Sequence, residues 1–237
     1  MTKFELIQEI RLYCIKNADA ERVKSSQRFF KEEFVGYGLT APQVYSKVKE
    51  ILKRETLSLS VVLEATPILM ESRKFEEISL GLLLMDGLWK QFTPETFQTI
   101  STWFTFSIDN WAHADTMGML ILSKFLDKKV IEMKDFELWL ESPFKFKRRC
   151  VPVTLIKHIK KTKEVMPSIL FVERLMMDTE REVHQGMGWF LREAWKISPT
   201  ETELFLEKYK NSAPRLIFQY ACEKMTAENK LRFKRAK

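Results

Sequence analysis

Three short segments of this sequence combine residue types that could do chemistry. In Asp109-Asn110-Trp111-Ala112-His113-Ala114-Asp115, Trp111 and Asp115 stand four apart, which on a helix places them on one face, one turn from each other. An acid beside a large aromatic, with the small Ala112 and Ala114 around them, could wall a ligand and aim a carboxylate across it. A core tryptophan with a solvated aspartate fits the same pattern. His113 has no second histidine or acid at metal-ligand spacing and reads as structural. The second segment, Lys145-Phe146-Lys147-Arg148-Arg149-Cys150, gathers four cations, and Lys157, Lys160, Lys161 and Lys163 follow. Phosphate contact is the natural use of such a cluster, and an arginine fork grips a phosphodiester through two donors. A solvated basic face is the alternative. In Gly186-Met187-Gly188-Trp189, two glycines in a helical context lower helix propensity, so a close approach of backbone, ligand or a packed helix must compensate.

The elements that would position these residues are helices. Apolar residues recur at helical spacing along almost the whole chain, and the breaks carry cap and turn signatures. The first helix is predicted from about Thr2 to Lys16. A second follows the cap candidate Asp19 and runs to the Gly36-Tyr37-Gly38 turn, and Thr40-Ala41-Pro42 opens a third. Thr93-Pro94-Glu95 and Ser198-Pro199-Thr200-Glu201 each place a cap, a proline and an acid at a helix start, while Ser142-Pro143 and Met166-Pro167-Ser168 begin two more. Counting breaks gives about twelve to fourteen helices of about 10 to 17 residues. Gly and Pro together contribute only 7 and 8 of the 237 residues, which disfavours a β-sandwich or barrel. No Gly-, Ser- or Pro-rich linker interrupts the chain, so a single domain over 1–237 is expected.

Trp111, Arg149 and Trp189 are separated by 38 and 40 residues, about one helix pair per step. In a solenoid of stacked pairs, the second helix of each pair would bring these three residues to one side. The charge is unequally divided as well: residues 1–120 hold 14 Lys+Arg against 16 Asp+Glu, and residues 121–237 hold 25 against 16. A basic second half is an electrostatic footprint for a polyanion, most often nucleic acid. The C-terminal run Lys230, Arg232, Lys234, Arg235 and Lys237 adds general polyanion affinity. Three widely spaced cysteines give neither a disulfide framework nor a zinc pattern and suit a reducing cytoplasm. The N-terminus is too charged for a signal peptide, and the most apolar stretch, residues 79–89, is interrupted by Asp86, so no membrane span is expected. Glycine-rich phosphate loops, nucleophile elbows and short-spaced catalytic carboxylate pairs are all missing from the sequence.

The set Trp111-x-x-x-Asp115, Arg149 at a basic helix start, and Gly188-Trp189-x-x-Arg192-Glu193 resembles the AlkD family of DNA alkylation repair glycosylases, built of HEAT-like helical repeats. The resemblance implies an all-α solenoid of about six stacked antiparallel helix pairs with a concave basic groove. It implies a monofunctional glycosylase that hydrolyses the N-glycosidic bond of cationic alkylated purines such as 3-methyladenine and 7-methylguanine, with the base still largely in the duplex and with no cofactor or metal. Asp115 matches the family's catalytic carboxylate, Trp111 and Trp189 its flanking tryptophans, and Arg149 its arginine. Arg148 and Lys147 would grip the DNA backbone beside Arg149. Phe29 stands where the family often has tyrosine, losing a hydroxyl that could reach DNA. The partner implied is double-stranded DNA carrying alkylated bases, met by a monomer in a bacterial-type cytoplasm, nucleoid-associated when bound. Two other readings fit the same residues: a non-catalytic binder of damaged or branched DNA, and a generic α-solenoid scaffold for protein partners.

Overall fold

A computed structural model describes residues 1–105 and 107–234; Arg235 and Lys237 of the basic C-terminal run lie outside the described residues. Among the described residues every regular element is helical: fifteen α-helices, five short 3₁₀ segments and one π-helical segment. The helices are more numerous and several are shorter than the breaks in the sequence suggest, because side chains end them where no Gly or Pro stands. The segment after Asp19 shows how. Asp19 caps Ala20–Ser26 by accepting the Arg22 N–H at 3.0 Å, but the helix does not reach Gly36. The Gln27 amide instead donates to the carbonyls of Phe30 and Glu32 at 3.1 and 2.9 Å and accepts the Phe34 N–H at 2.8 Å, so one side chain replaces the helical ladder.

Local signals elsewhere hold. Thr2, Thr40 and Thr93 form reciprocal capping boxes at the starts of Lys3–Lys16, Ala41–Leu52 and Pro94–Thr102. Pro199–Tyr209 begins at its proline, although the Ser198 hydroxyl makes no cap bond. The helix foreseen at Ser142-Pro143 starts later, at Lys145, and Ser142 serves the lead-in by accepting the Phe144 N–H at 3.2 Å.

The chain forms two compact units, Met1–His113 and Ala114–Lys237. Their boundary falls inside the helix Trp111–Thr116, not in a linker, which is why composition gives no sign of it. In the first unit the helices Lys3–Lys16, Ala41–Leu52, Leu59–Glu71 and Phe75–Gly87 pack together. The Gly36–Gly38 turn, with Gly38 at φ +80°, is fastened by Glu76, whose buried carboxylate accepts the N–H groups of Tyr37, Gly38 and Leu39 at 2.7, 2.8 and 3.1 Å. The neighbouring Glu77 takes the Tyr37 hydroxyl at 2.7 Å and Arg11 Nε at 3.1 Å, so two adjacent acids lock the turn onto the first helix.

The second unit is a series. The π-helical segment Met117–Leu122 packs on Lys145–Thr162, that helix on Arg181–Ile197, and that one on Arg215–Ala221. Arg149 and Trp189 therefore lie on adjacent stacked helices, as their 40-residue separation suggests. The Arg181–Ile197 helix approaches its neighbour through Gly188: a Cβ there would stand 2.5 Å from Tyr220 Cβ and 2.7 Å from the Ile217 carbonyl oxygen. Exchanging Gly for Ala inside an exposed helix raises stability by about 1 kcal/mol. Here the sign reverses, because backbone must move: Gly188→Ala is expected to lower stability by about 1–3 kcal/mol in denaturant unfolding, and unchanged or raised stability would contradict the close approach.

Candidate active site

The helix Trp111–Thr116 is started by Asn110, whose Oδ1 accepts the His113 N–H at 3.0 Å. The same amide donates from Nδ2 to His113 Nδ1 at 2.8 Å. That assignment puts the ring hydrogen on Nε2, facing the Phe75 carbonyl at 3.1 Å, and the imidazole stacks on Phe75 with centroids 4.5 Å apart. His113 is thus a buried structural residue, fixing the register of the helix that carries Trp111 and Asp115. Burial pushes its pKa down to about 4 from an ordinary 6.5. The unfolded chain binds the proton more readily, so stability is present above pH 6.5 and is lost as pH falls toward 4. From the size of the shift, about 3 kcal/mol of stability depends on this group. Relative to His113→Gln, the wild-type advantage is expected to shrink by about that amount between pH 7 and pH 4; a gap independent of pH would contradict it.

Trp111 is 42% exposed, not a core residue. Its ring lies parallel to Phe30 at 5.8 Å, and its indole N–H donates to the Phe29 carbonyl at 3.2 Å. Phe29 itself, at the end of the 3₁₀ turn Gln27–Phe29, is more than half exposed, with the Arg28 guanidinium 4.7 Å from its ring centre. Two of the aromatic residues singled out in the sequence are therefore joined and present open ring surface.

Asp115 lies in the second unit and meets Arg149. The pair is bidentate: Nε donates to Oδ1 and Nη2 to Oδ2, both at 2.8 Å. Nη1 donates to the Glu182 carbonyl at 2.6 Å, so three of the five guanidinium donors are taken. The Arg149 side chain is 6% exposed and that of Asp115 16%. Removal from water raises the Asp115 pKa above the ordinary carboxylate value, and the Arg149 charge opposes that rise without cancelling it. The carboxylate is fixed in direction, and each oxygen retains a lone pair beyond the arginine bond.

Arg148 is engaged in the same way. Its Nε and Nη2 reach the Asp178 carboxylate at 2.6 and 3.1 Å, and Nη1 reaches the Ser142 carbonyl at 2.6 Å. Asp178 sits just ahead of Arg181–Ile197, so Arg148 holds the lead-in to the helix that supplies the Glu182 carbonyl and Trp189. The expectation of phosphate for both forks is not met in the free protein: both close on carboxylates, because a largely buried guanidinium needs a compensating charge within the fold. Lys147 places its ammonium 4.9 Å from the Trp139 ring centre, and burial lowers its pKa. Trp189 is half-buried. Gly186 has a local reason too: a Cβ there would stand 3.1 Å from Arg149 Cγ, so its absence leaves room for the arginine stem. Both glycines of the third segment are accounted for by packing.

Residues 11–225 match the family model described as DNA alkylation repair enzyme. The chain belongs to that family. A solved structure, a predicted DNA alkylation repair enzyme from Enterococcus faecalis, shares its fold with a TM-score of 0.77 at 15% identity, over 89% of this chain and 98% of that one. No curated protein matches the chain. Membership of this family implies a role in repair of alkylation damage and DNA as the partner. Among the described residues no helix is long and apolar enough to cross a membrane.

Proposed function

We propose that this family member is a monofunctional DNA glycosylase that releases cationic alkylated purines, 3-methyladenine and 7-methylguanine among them, from duplex DNA. The observation that supports it most is the held carboxylate of Asp115, largely withdrawn from water and aimed by a two-donor fork. An alkylated purine leaves readily because the electron pair of the breaking N9–C1′ bond neutralises its charge. The deoxyribose is the harder part, since it gains oxocarbenium character. A fixed carboxylate in a water-poor site stabilises that charge, and its remaining lone pairs can orient the water that adds to C1′. Asp115 takes this role, with Arg149 keeping it ionised and directed.

Trp111 and Trp189 offer electron-rich faces to the developing cation, an attraction of roughly 0.5–2 kcal/mol each. Lys147 and the exposed ring of Phe29 contribute to holding the DNA, and Arg148 contributes through the Asp178 lead-in it fixes. Backbone gripping of this kind is independent of sequence, which suits a search for lesions by a monomer on duplex DNA. No metal or cofactor enters the scheme.

A second reading, a non-catalytic binder of damaged or branched DNA, is favoured by one observation: Arg149 already neutralises the Asp115 charge. Incubation with methylated duplex DNA separates the two. The glycosylase reading expects free methylated purine in the supernatant and an unbroken strand bearing abasic sites; tight binding with all bases retained would establish the second reading.

A further inference from the structure

Asp115 is followed within one turn by a change of helix type. The α-helix Trp111–Thr116 passes into the π-helical segment Met117–Leu122 before Ser123–Asp127 resumes the regular winding. In an unbroken α-helix the Gly118 N–H would donate to the Ala114 carbonyl. The Cys150 thiol of the packed helix addresses the same carbonyl: its S–H donates to the Ala114 oxygen at 3.0 Å. The next turn widens, and the Ser123 N–H reaches back five residues to the Gly118 carbonyl. Gly118 permits this close approach because it is bare. A Cβ there would stand 2.9 Å from Val153 Cγ1 and 3.2 Å from the Cys150 carbonyl oxygen, so any other residue would push the two helices apart.

Two neighbouring residues of Lys145–Thr162 thus clasp two neighbouring residues of the other helix: Arg149 takes the Asp115 side chain, and Cys150 takes the carbonyl of Ala114. The Ala114 carbonyl and the Asp115 carboxylate are both held by that one helix. The thiol is fully buried and burial pushes its pKa well above the usual range, so it stays protonated and keeps its donor. We infer that Cys150 is a positioning residue for Asp115: its bond to the Ala114 carbonyl sets the direction in which the carboxylate leaves the backbone, and with it the geometry the Arg149 fork receives. The inference rests on Asp115 being the working carboxylate, and it adds a determinant that does not touch DNA.

The test compares wild type, Cys150→Ala and Cys150→Ser by carbon-detected NMR of aspartate carboxyls, with the Asp115 signal assigned by its loss in Asp115→Asn. Cys150→Ala is expected to shift the Asp115 carboxyl signal and its titration midpoint. It is also expected to lower the rate of base release at saturating DNA by about tenfold, the scale of a small misplacement, with KM unchanged. Cys150→Ser, which restores a donor and an acceptor, is expected to recover most of both. A folded Cys150→Ala variant with an unmoved Asp115 signal, or one that loses only thermal stability, overturns the inference. If the wild type releases no base, the carboxyl signal still decides the positioning, and only the glycosylase reading fails. Should Cys150→Ala not fold, Cys150→Val, which also lacks the donor, replaces it: a moved Asp115 carboxyl signal supports the inference, and an unmoved one overturns it.

Discussion

Asp115→Asn is expected to fold, to bind duplex DNA with near wild-type affinity, and to release alkylated purine at least about 100-fold more slowly, a loss of about 3 kcal/mol in transition-state stabilisation. The amide keeps the shape of the carboxylate and accepts one bond from Arg149, but it leaves the buried guanidinium without its counter-charge, so the variant is expected to fold with its stability lowered by about 3–5 kcal/mol. What it lacks is the negative charge opposite the sugar. Single-turnover rates alongside binding isotherms separate these two effects. A variant that releases base at the parental rate would remove Asp115 from the chemistry, while one that loses DNA affinity in proportion would make it a binding residue. In the wild type, release that depends on ionised Asp115 should fall as the pH drops through the folded value, which burial places above the ordinary 3.8.

Arg149→Ala has the other large effect, and it acts first on stability. Arg149 and Asp115 are both largely buried. Removing only the cation leaves an uncompensated carboxylate and an unpaired Glu182 carbonyl, at a cost of about 3–5 kcal/mol. Denaturant unfolding near pH 7 reads this directly. The Asp115 pKa should climb further without its partner, so residual base release in Arg149→Ala should recover as pH rises. Arg149→Lys should rescue poorly, because a single ammonium cannot reproduce the two-donor fork. The double variant Arg149→Ala with Asp115→Asn should be more stable than Arg149→Ala alone. Equal stabilities would contradict the account of a buried charge left unpaired.

The parts of this protein that were legible in its sequence are the ones decided locally. Capping at Thr2, Thr40 and Thr93 depends on residues three apart, and the structure keeps each; proline at a helix start depends on its own ring and holds at Pro94 and Pro199, while the helix after Pro143 begins only at Lys145. The 40-residue step from Arg149 to Trp189 was legible as well, since stacked helices of similar length repeat at that interval. The partner of a charged side chain is a different matter. Arg149 and Asp115 are 34 residues apart, and nothing between them marks the pair, so a basic cluster read in isolation points to phosphate. Arg148 and Asp178 are 30 apart and gave the same impression. The bond from Cys150 to the Ala114 carbonyl is hidden for a related reason: a lone cysteine at the start of an apolar run looks like a small core residue, and only the facing Gly118 hints that another backbone comes close. Gln27 ended a helix by folding back on Phe30, Glu32 and Phe34, which composition cannot show because glutamine is a good helix former.

Breakage of an N-glycosidic bond by this chain is best read on a duplex carrying one 7-methylguanine. Wild-type protein in excess, at low salt, should convert the lesion to an abasic site and liberate 7-methylguanine as the free base, with Asp115→Asn showing little release over the same interval. If wild type saturates the duplex and the base remains attached at a rate no faster than in buffer, the held carboxylate is not catalytic.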